Sequence, residues 1–118
     1  MHGSFSRADT FNCMIAVGPD FKQHFLDLAP VSNVDLAKTF ARILKLELPL
    51  RGRLEGRILN EALKGGPDNV AFETKSIKSE PAGNGQVTKL NYQLVGKTKY
   101  FDAAGFPARS VGLDDYRP

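Results

Sequence analysis

The spacing of apolar residues changes once along this chain, near residue 67, and that change limits the folds open to it. Before it, Val34, Ala37, Ala41 and Leu44 recur with Phe40 and Ile43 beside them, the spacing that lines one face of a helix. After it, Thr88, Leu90, Tyr92 and Leu94 alternate with Lys89, Asn91 and Gln93, the period of a strand. At 118 residues the chain is about one ordinary domain long, and neither half alone has much core. The change is therefore read as a change of element inside one domain, residues 1–118, with a helical part over about 1–66 and a strand-rich part over about 67–113. The fold class expected is α+β, with two helices packed on a mostly antiparallel sheet.

The first helix is expected over about 33–45. Ser32 or Asn33 can cap its start, and Asp35, three residues after Ser32, approximates a capping box. Lys38, Arg42 and Lys45 fall outside the apolar stripe, acids lie early and bases late as the helix dipole favours, and Pro49 closes the segment. A second short helix is expected at Arg57–Lys64, with Ile58, Leu59, Ala62 and Leu63 inward. Gly65-Gly66-Pro67 would stop it, Gly65 suiting the left-handed position after a helix. Residues 1–11 are polar and read as a loop. Cys13-Met14-Ile15-Ala16-Val17, ended by Gly18-Pro19, has strand length, and its unbroken apolar run implies cover on both faces. Val70–Ile77, Gln86–Val95 and Thr98–Asp102, joined by turns at Pro81–Gly85 and Gly96-Lys97, form an expected antiparallel meander.

Composition narrows the chemistry. Hydrophobic residues at 42% and charged residues at 25% argue against wholesale disorder. Sixteen Lys and Arg against thirteen Asp and Glu leave a net charge of +3, which permits an anionic partner without demanding one. The single cysteine, Cys13, excludes an internal disulfide and a Cys-based zinc cluster. Two histidines, His2 and His24, are too few for a self-contained His-rich metal site. No stretch approaches the ~20 apolar residues of a membrane span, and no apolar run follows Arg7 as in a signal peptide. The chain as written is expected to stay in the cytoplasm, away from membranes.

Nucleophile–base pairs are scarce. Ser4 lies beside His2, but nearness in sequence does not make a triad. Gly18-Pro19-Asp20 lacks the spacing of a phosphate loop. Arg51, Arg53 and Arg57 offer an anion-binding turn against the plainer reading of a solvated one. Tyr92, Tyr100 and Phe101 would stack bases if they shared a face, but sheet aromatics are ordinarily core, so nucleic acid is not expected. Cys13 reads as an inert core residue, His24 as exposed, and Asp114-Asp115 as a solvated acidic tail.

The run from His2-Gly3-Ser4-Phe5-Ser6-Arg7 through Ala16-Val17-Gly18-Pro19-Asp20-Phe21-Lys22 resembles the last block of the alkaline phosphatase superfamily, in its type I phosphodiesterase/nucleotide pyrophosphatase branch. Ser32-Asn33-Val34-Asp35 and Gly56-Arg57-Ile58-Leu59-Asn60-Glu61-Ala62-Leu63 continue the similarity, as does the stretch from Leu90-Asn91-Tyr92-Gln93 to Tyr100-Phe101-Asp102-Ala103-Ala104-Gly105-Phe106. Lys38 departs from it, proline being frequent there. The resemblance implies the C-terminal part of an alkaline-phosphatase-like α/β fold in a longer, zinc-dependent phosphoric ester hydrolase. It makes His2 a ligand of one of two zinc ions and puts the nucleophile and the remaining ligands in an upstream portion this sequence does not contain. The resemblance leaves export open for full-length relatives. The expected function is thus that of a C-terminal fragment, inactive alone and binding zinc only weakly, because one imidazole cannot replace about three protein ligands. Rival readings are a non-catalytic protein-interaction module and a small anion- or nucleic-acid-binding domain. A homodimer is expected, since an apolar strand with too little cover favours pairing with a second copy or with a missing N-terminal portion.

Overall fold

All three strands expected from the alternation form in the computed structural model, which describes residues 3–49, 52 and 55–113. They are β1, Glu73–Lys78, β2, Lys89–Val95, and β3, Thr98–Gly105, in the order β1-β2-β3. β1 pairs antiparallel with β2 from Glu73 opposite Leu94 to Lys78 opposite Lys89, and a two-residue turn joins β2 to β3. β2 lies between two strands, and Asn91–Leu94 are all half-buried. β1 is exposed along its whole length. With two α-helices besides this sheet, the class is α+β.

The chain gathers into two compact units. One holds the residues up to Cys13, Glu73–Leu94 and those from Lys99 onward. The other holds Met14–Phe72 and Val95–Thr98.

The first unit contains α1, Arg7–Thr10, a single helical turn in residues that read as a loop. Ser6 caps it, its hydroxyl accepting the Ala8 amide at 3.2 Å, and Asp9 lies three residues later. Tyr100, Ala103 and Leu113 are buried there.

The second unit contains α2, Leu36–Leu44, entered through a 3-10 turn at Asn33–Asp35, close to the expected 33–45. The Asp35 carboxylate reaches back to the Ser32 amide at 2.8 Å, the acidic half of the expected capping box. The buried side of α2 is not the expected stripe. Ala41 is buried, but Val34, Phe40 and Leu44 are exposed, while Asp35 and Thr39, one turn apart, are fully buried. Those two polar side chains hold the backbone of residues 57–59, and that contact decides which side of the helix turns inward.

The same contact removes the second helix. Only a 3-10 turn, Asn60–Ala62, forms within Arg57–Lys64. The Arg57 amide donates to Asp35 Oδ1 at 2.8 Å and the Leu59 amide to Thr39 Oγ1 at 3.1 Å. Downstream, the Lys64 amide donates to Asp20 O and the Lys22 amide to Ala62 O, both at 2.9 Å, around an isolated bridge between Phe21 and Leu63. Backbone groups satisfied by distant partners are not available for an i→i−4 ladder. Gly56 makes this approach possible. A Cβ there would collide with the Val34 carbonyl, so only glycine lets the chain lie against the start of α2.

Cys13–Val17 forms no strand, and residues 11–20 are exposed throughout. Cys13 is therefore not a core residue. No described strand lies beside this run to take its backbone hydrogen bonds, so its strand propensity is unused. Among the described residues, no helix is long and apolar enough to cross a membrane.

Candidate functional site

His2 lies outside the described residues, which begin at Gly3. The turn after Gly3 is fastened closely. The Asp9 carboxylate accepts the Ser4 amide at 2.9 Å and also the Ser4 hydroxyl. The Ser4 hydroxyl, with the amide behind it, holds the Asp9 carboxyl below its ordinary range.

Three elements then bind this turn to β3. The Arg7 guanidinium grips Asp102 with two parallel bonds, Nε to Oδ1 at 2.8 Å and Nη2 to Oδ2 at 2.5 Å. The hydrogen bond to Asp102 raises the Arg7 pKa against the opposing effect of burial. Thr10 donates its hydroxyl to the Asp102 carbonyl. The Phe5 carbonyl accepts the Ala104 amide at 2.7 Å, and the Phe5 and Phe101 rings lie 5.0 Å apart. From the C-terminal side, the Arg7 amide donates to Val111 O at 2.8 Å. Gly112 has φ +91°, and a Cβ there would strike the Arg7 side chain, so a larger residue would displace the clamp. Asn91 on β2 holds the Gly112 carbonyl at 3.2 Å. The segment next to His2 is thus tied to the sheet through backbone and side chain alike.

The second unit contains a buried polar cluster. Glu61 is 1% exposed and lies 2.5 Å from Arg57 Nη2, which also donates to Pro30 O at 3.2 Å. Asp27 contacts Glu61 and accepts the Ala29 amide at 2.9 Å. Burial pushes the Asp27 carboxyl up. Burial also opposes charge on Glu61, but the Arg57 hydrogen bond and the Glu61 backbone amide outweigh it and hold that carboxyl down. With Asp35 and Thr39 this cluster ties three segments together. These bonds run between its own side chains and to the backbone of Ala29 and Pro30, an arrangement suited to holding structure in place.

The remaining candidates do not converge. Arg51, Arg53, Asp114 and Asp115 lie outside the described residues, and Arg57 is engaged by Glu61. Tyr100 is buried, whereas its neighbour Phe101 is half-exposed against Phe5, so the strand aromatics do not make one stacking platform. His24 is exposed in a shallow hollow with Lys22, Lys64 and Asp68. Lys22 is already bonded to Asp68 and Pro67 O, both at 2.8 Å, and sits 4.7 Å from the Phe25 ring centre. Asp20 of the Gly18-Pro19-Asp20 turn gives its carbonyl to Lys64. Among the described residues, no group of three or more His, Cys, Asp or Glu side chains could hold a metal ion.

No family model, curated protein or solved structure matches the chain.

Sequence reasoning passes over the residues that organise both clusters. Asp102 sits in a strand where alternation alone marks it as an ordinary polar position, and Arg7 sits in a loop-like terminus. Ser6 with Asp9 three residues later is the local signal for α1. Asp27 carries no local signal, because its importance arises from Glu61, far along the chain.

Proposed function

We propose that this chain is the C-terminal part of a metal-dependent phosphodiesterase of the alkaline phosphatase superfamily, and that it has no turnover by itself. The observation that carries the reading is the fastening of residues 3–10 to β3 through Arg7 and Asp102, directly after His2 of the His-Gly block. A metal ligand works only when its backbone is held by surrounding bonds, and a clamped turn beginning one residue later is the support such a ligand needs. The described residues do not by themselves fit a zinc site, since they bring no set of ligands together. In this reading the other ligands and the nucleophile come from a portion upstream of His2, and this chain supplies one ligand and the scaffold behind it.

A second feature favours association. Ile15 and Val17 are 83% and 90% exposed, so the apolar run lies open to a partner. That partner is the missing catalytic portion or, in the chain alone, a second copy forming a dimer. The same openness supports the rival reading of a non-catalytic interaction module. The anion-binding reading has less support, because Arg57 is taken up by Glu61 and Pro30.

The test is an assay of nitrophenyl phosphate mono- and diesters with purified chain and added zinc. No turnover is expected. Zinc-dependent hydrolysis that disappears in His2→Ala would overturn the claim that the chain is inactive alone. A sequence directly upstream of Met1 with an in-frame Ser or Thr nucleophile and Asp/His pairs would support the enzyme reading over the interaction module.

A further inference from the structure

In the second unit the buried Glu61 carboxyl meets that of half-buried Asp27, whose Oδ2 is itself shielded from solvent. Asp27 Oδ1 accepts the Ala29 amide at 2.9 Å, but Asp27 Oδ2 is buried and receives no hydrogen bond from any described residue. Glu61 Oε1 is buried as well, and its ion partner is Arg57 Nη2 at 2.5 Å. The Asp27 and Glu61 carboxyls are within hydrogen-bonding reach of each other. Two ionised carboxylates are acceptors only and cannot bond together, so the contact becomes attractive only when one carries a proton. The charge balance agrees: among the described residues, the guanidinium that acts on both carboxyls is that of Arg57, which offsets one negative charge rather than two.

We propose that Asp27 and Glu61 hold one proton between them, on Asp27 Oδ2, as a clasp that fastens the connector at residues 20–32 to the turn at Asn60–Ala62 and loosens when that proton leaves for solvent. Loss of the proton leaves two carboxylates against the one positive charge of Arg57. Among the described residues, the charged groups that act on Asp27 are Glu61 and Arg57, and those that act on Glu61 are Arg57 and Asp27. The two oxygens of Asp35 are taken by the Ser32 and Arg57 amides, so it has a separate role. Arg57 also holds Pro30 of the same connector, and the proton adds a second tie to that one.

The two carboxyls respond to pH in opposite directions. The Asp27 pKa is raised, so its contribution to stability is full below its ordinary 3.8 and is lost as pH rises through the folded value. The Glu61 pKa is lowered, so its contribution is present above its ordinary 4.5 and is lost as pH falls through the folded value. The clasp therefore holds between the folded Glu61 and Asp27 values and weakens as pH rises through the latter.

Carbon-13 NMR of the whole chain, labelled at the aspartate carboxyls, tests this alongside urea unfolding of the wild type and Asp27→Asn. One carboxyl signal, absent in Asp27→Asn, is expected to titrate above 3.8, with the Ala29 amide shifting in step. The wild-type urea midpoint should fall across that titration. The Asp27→Asn midpoint should stay level, because an amide can donate to Glu61 and has no proton to lose. An Asp27 carboxyl that titrates at or below 3.8 overturns the proposal, as do urea midpoints of the two proteins that run parallel through the window. The NMR arm reads the unmutated chain, so the proposal stays testable even if the variant fails to fold.

Discussion

Arg7 and Asp102 are joined by two parallel hydrogen bonds across 95 positions of sequence, and they share their exposure unequally. The Arg7 side chain is 43% exposed and the Asp102 side chain 8%. Deleting either partner therefore has a different cost. Arg7→Ala leaves a buried carboxylate without its cation and should destabilise the chain by about 2–3 kcal/mol. Asp102→Ala leaves a guanidinium that water can reach and should cost about 1 kcal/mol. Equilibrium urea unfolding checks the order; equal losses would mean that the pair is solvated on both sides.

Thr39→Val keeps shape but removes the hydroxyl that accepts the Leu59 amide and donates to Asp35 O. Thr39 and Leu59 are both buried, so the Leu59 amide would be left unmet, at a cost of about 1–3 kcal/mol. Thermal unfolding followed by circular dichroism measures it. A value near zero would show that water enters this part of the unit.

Gly56→Ala tests the close approach of residues 55–57 to the start of α2. Its Cβ would meet the Val34 carbonyl, a backbone atom that cannot swing away, so a loss of about 1–3 kcal/mol is expected. Loss of the Arg57 amide–Asp35 bond should accompany it, seen as faster hydrogen exchange at Arg57.

Acid should loosen the turn after His2. The Asp9 pKa is lowered by its bonds from Ser4, so their contribution is present above the ordinary 3.8 and is lost as pH falls through the folded value. The Ser4 amide proton should therefore shift only below 3.8, and Asp9→Asn should abolish that titration. A Ser4 signal that titrates near neutrality would rule out this account.

Association through the apolar run predicts a dimer in sedimentation experiments across a dilution series. Ile15→Asp and Val17→Asp, which place charge on side chains 83% and 90% exposed, should shift it toward monomer without unfolding the chain. The exposed Cys13 thiol should react readily with a thiol reagent at high dilution and more slowly as the dimer forms. A wild-type monomer at micromolar concentration would count against self-pairing.

Elements whose instructions are local were legible in the amino-acid order. β1, β2 and β3 could be read there because alternation and the Gly-containing turns act over a few residues. α2 could be read because Ser32 and Asp35 mark its start and helical spacing follows. Long-range contacts settled the rest. Arg57–Lys64 carries a helical pattern, yet its amides are claimed by Asp35 and Thr39, 22 and 20 positions away, and a distant acceptor that is already in place wins over a short helix that must still nucleate. Cys13–Val17 has strand character without a neighbouring strand, and a strand exists only when another backbone takes its hydrogen bonds. The pairing of Arg7 with Asp102, and of Asp27 with Glu61, was invisible for the same reason: a charged side chain has no periodicity of its own, and whether it is solvated, bonded or buried depends on what the rest of the chain brings against it.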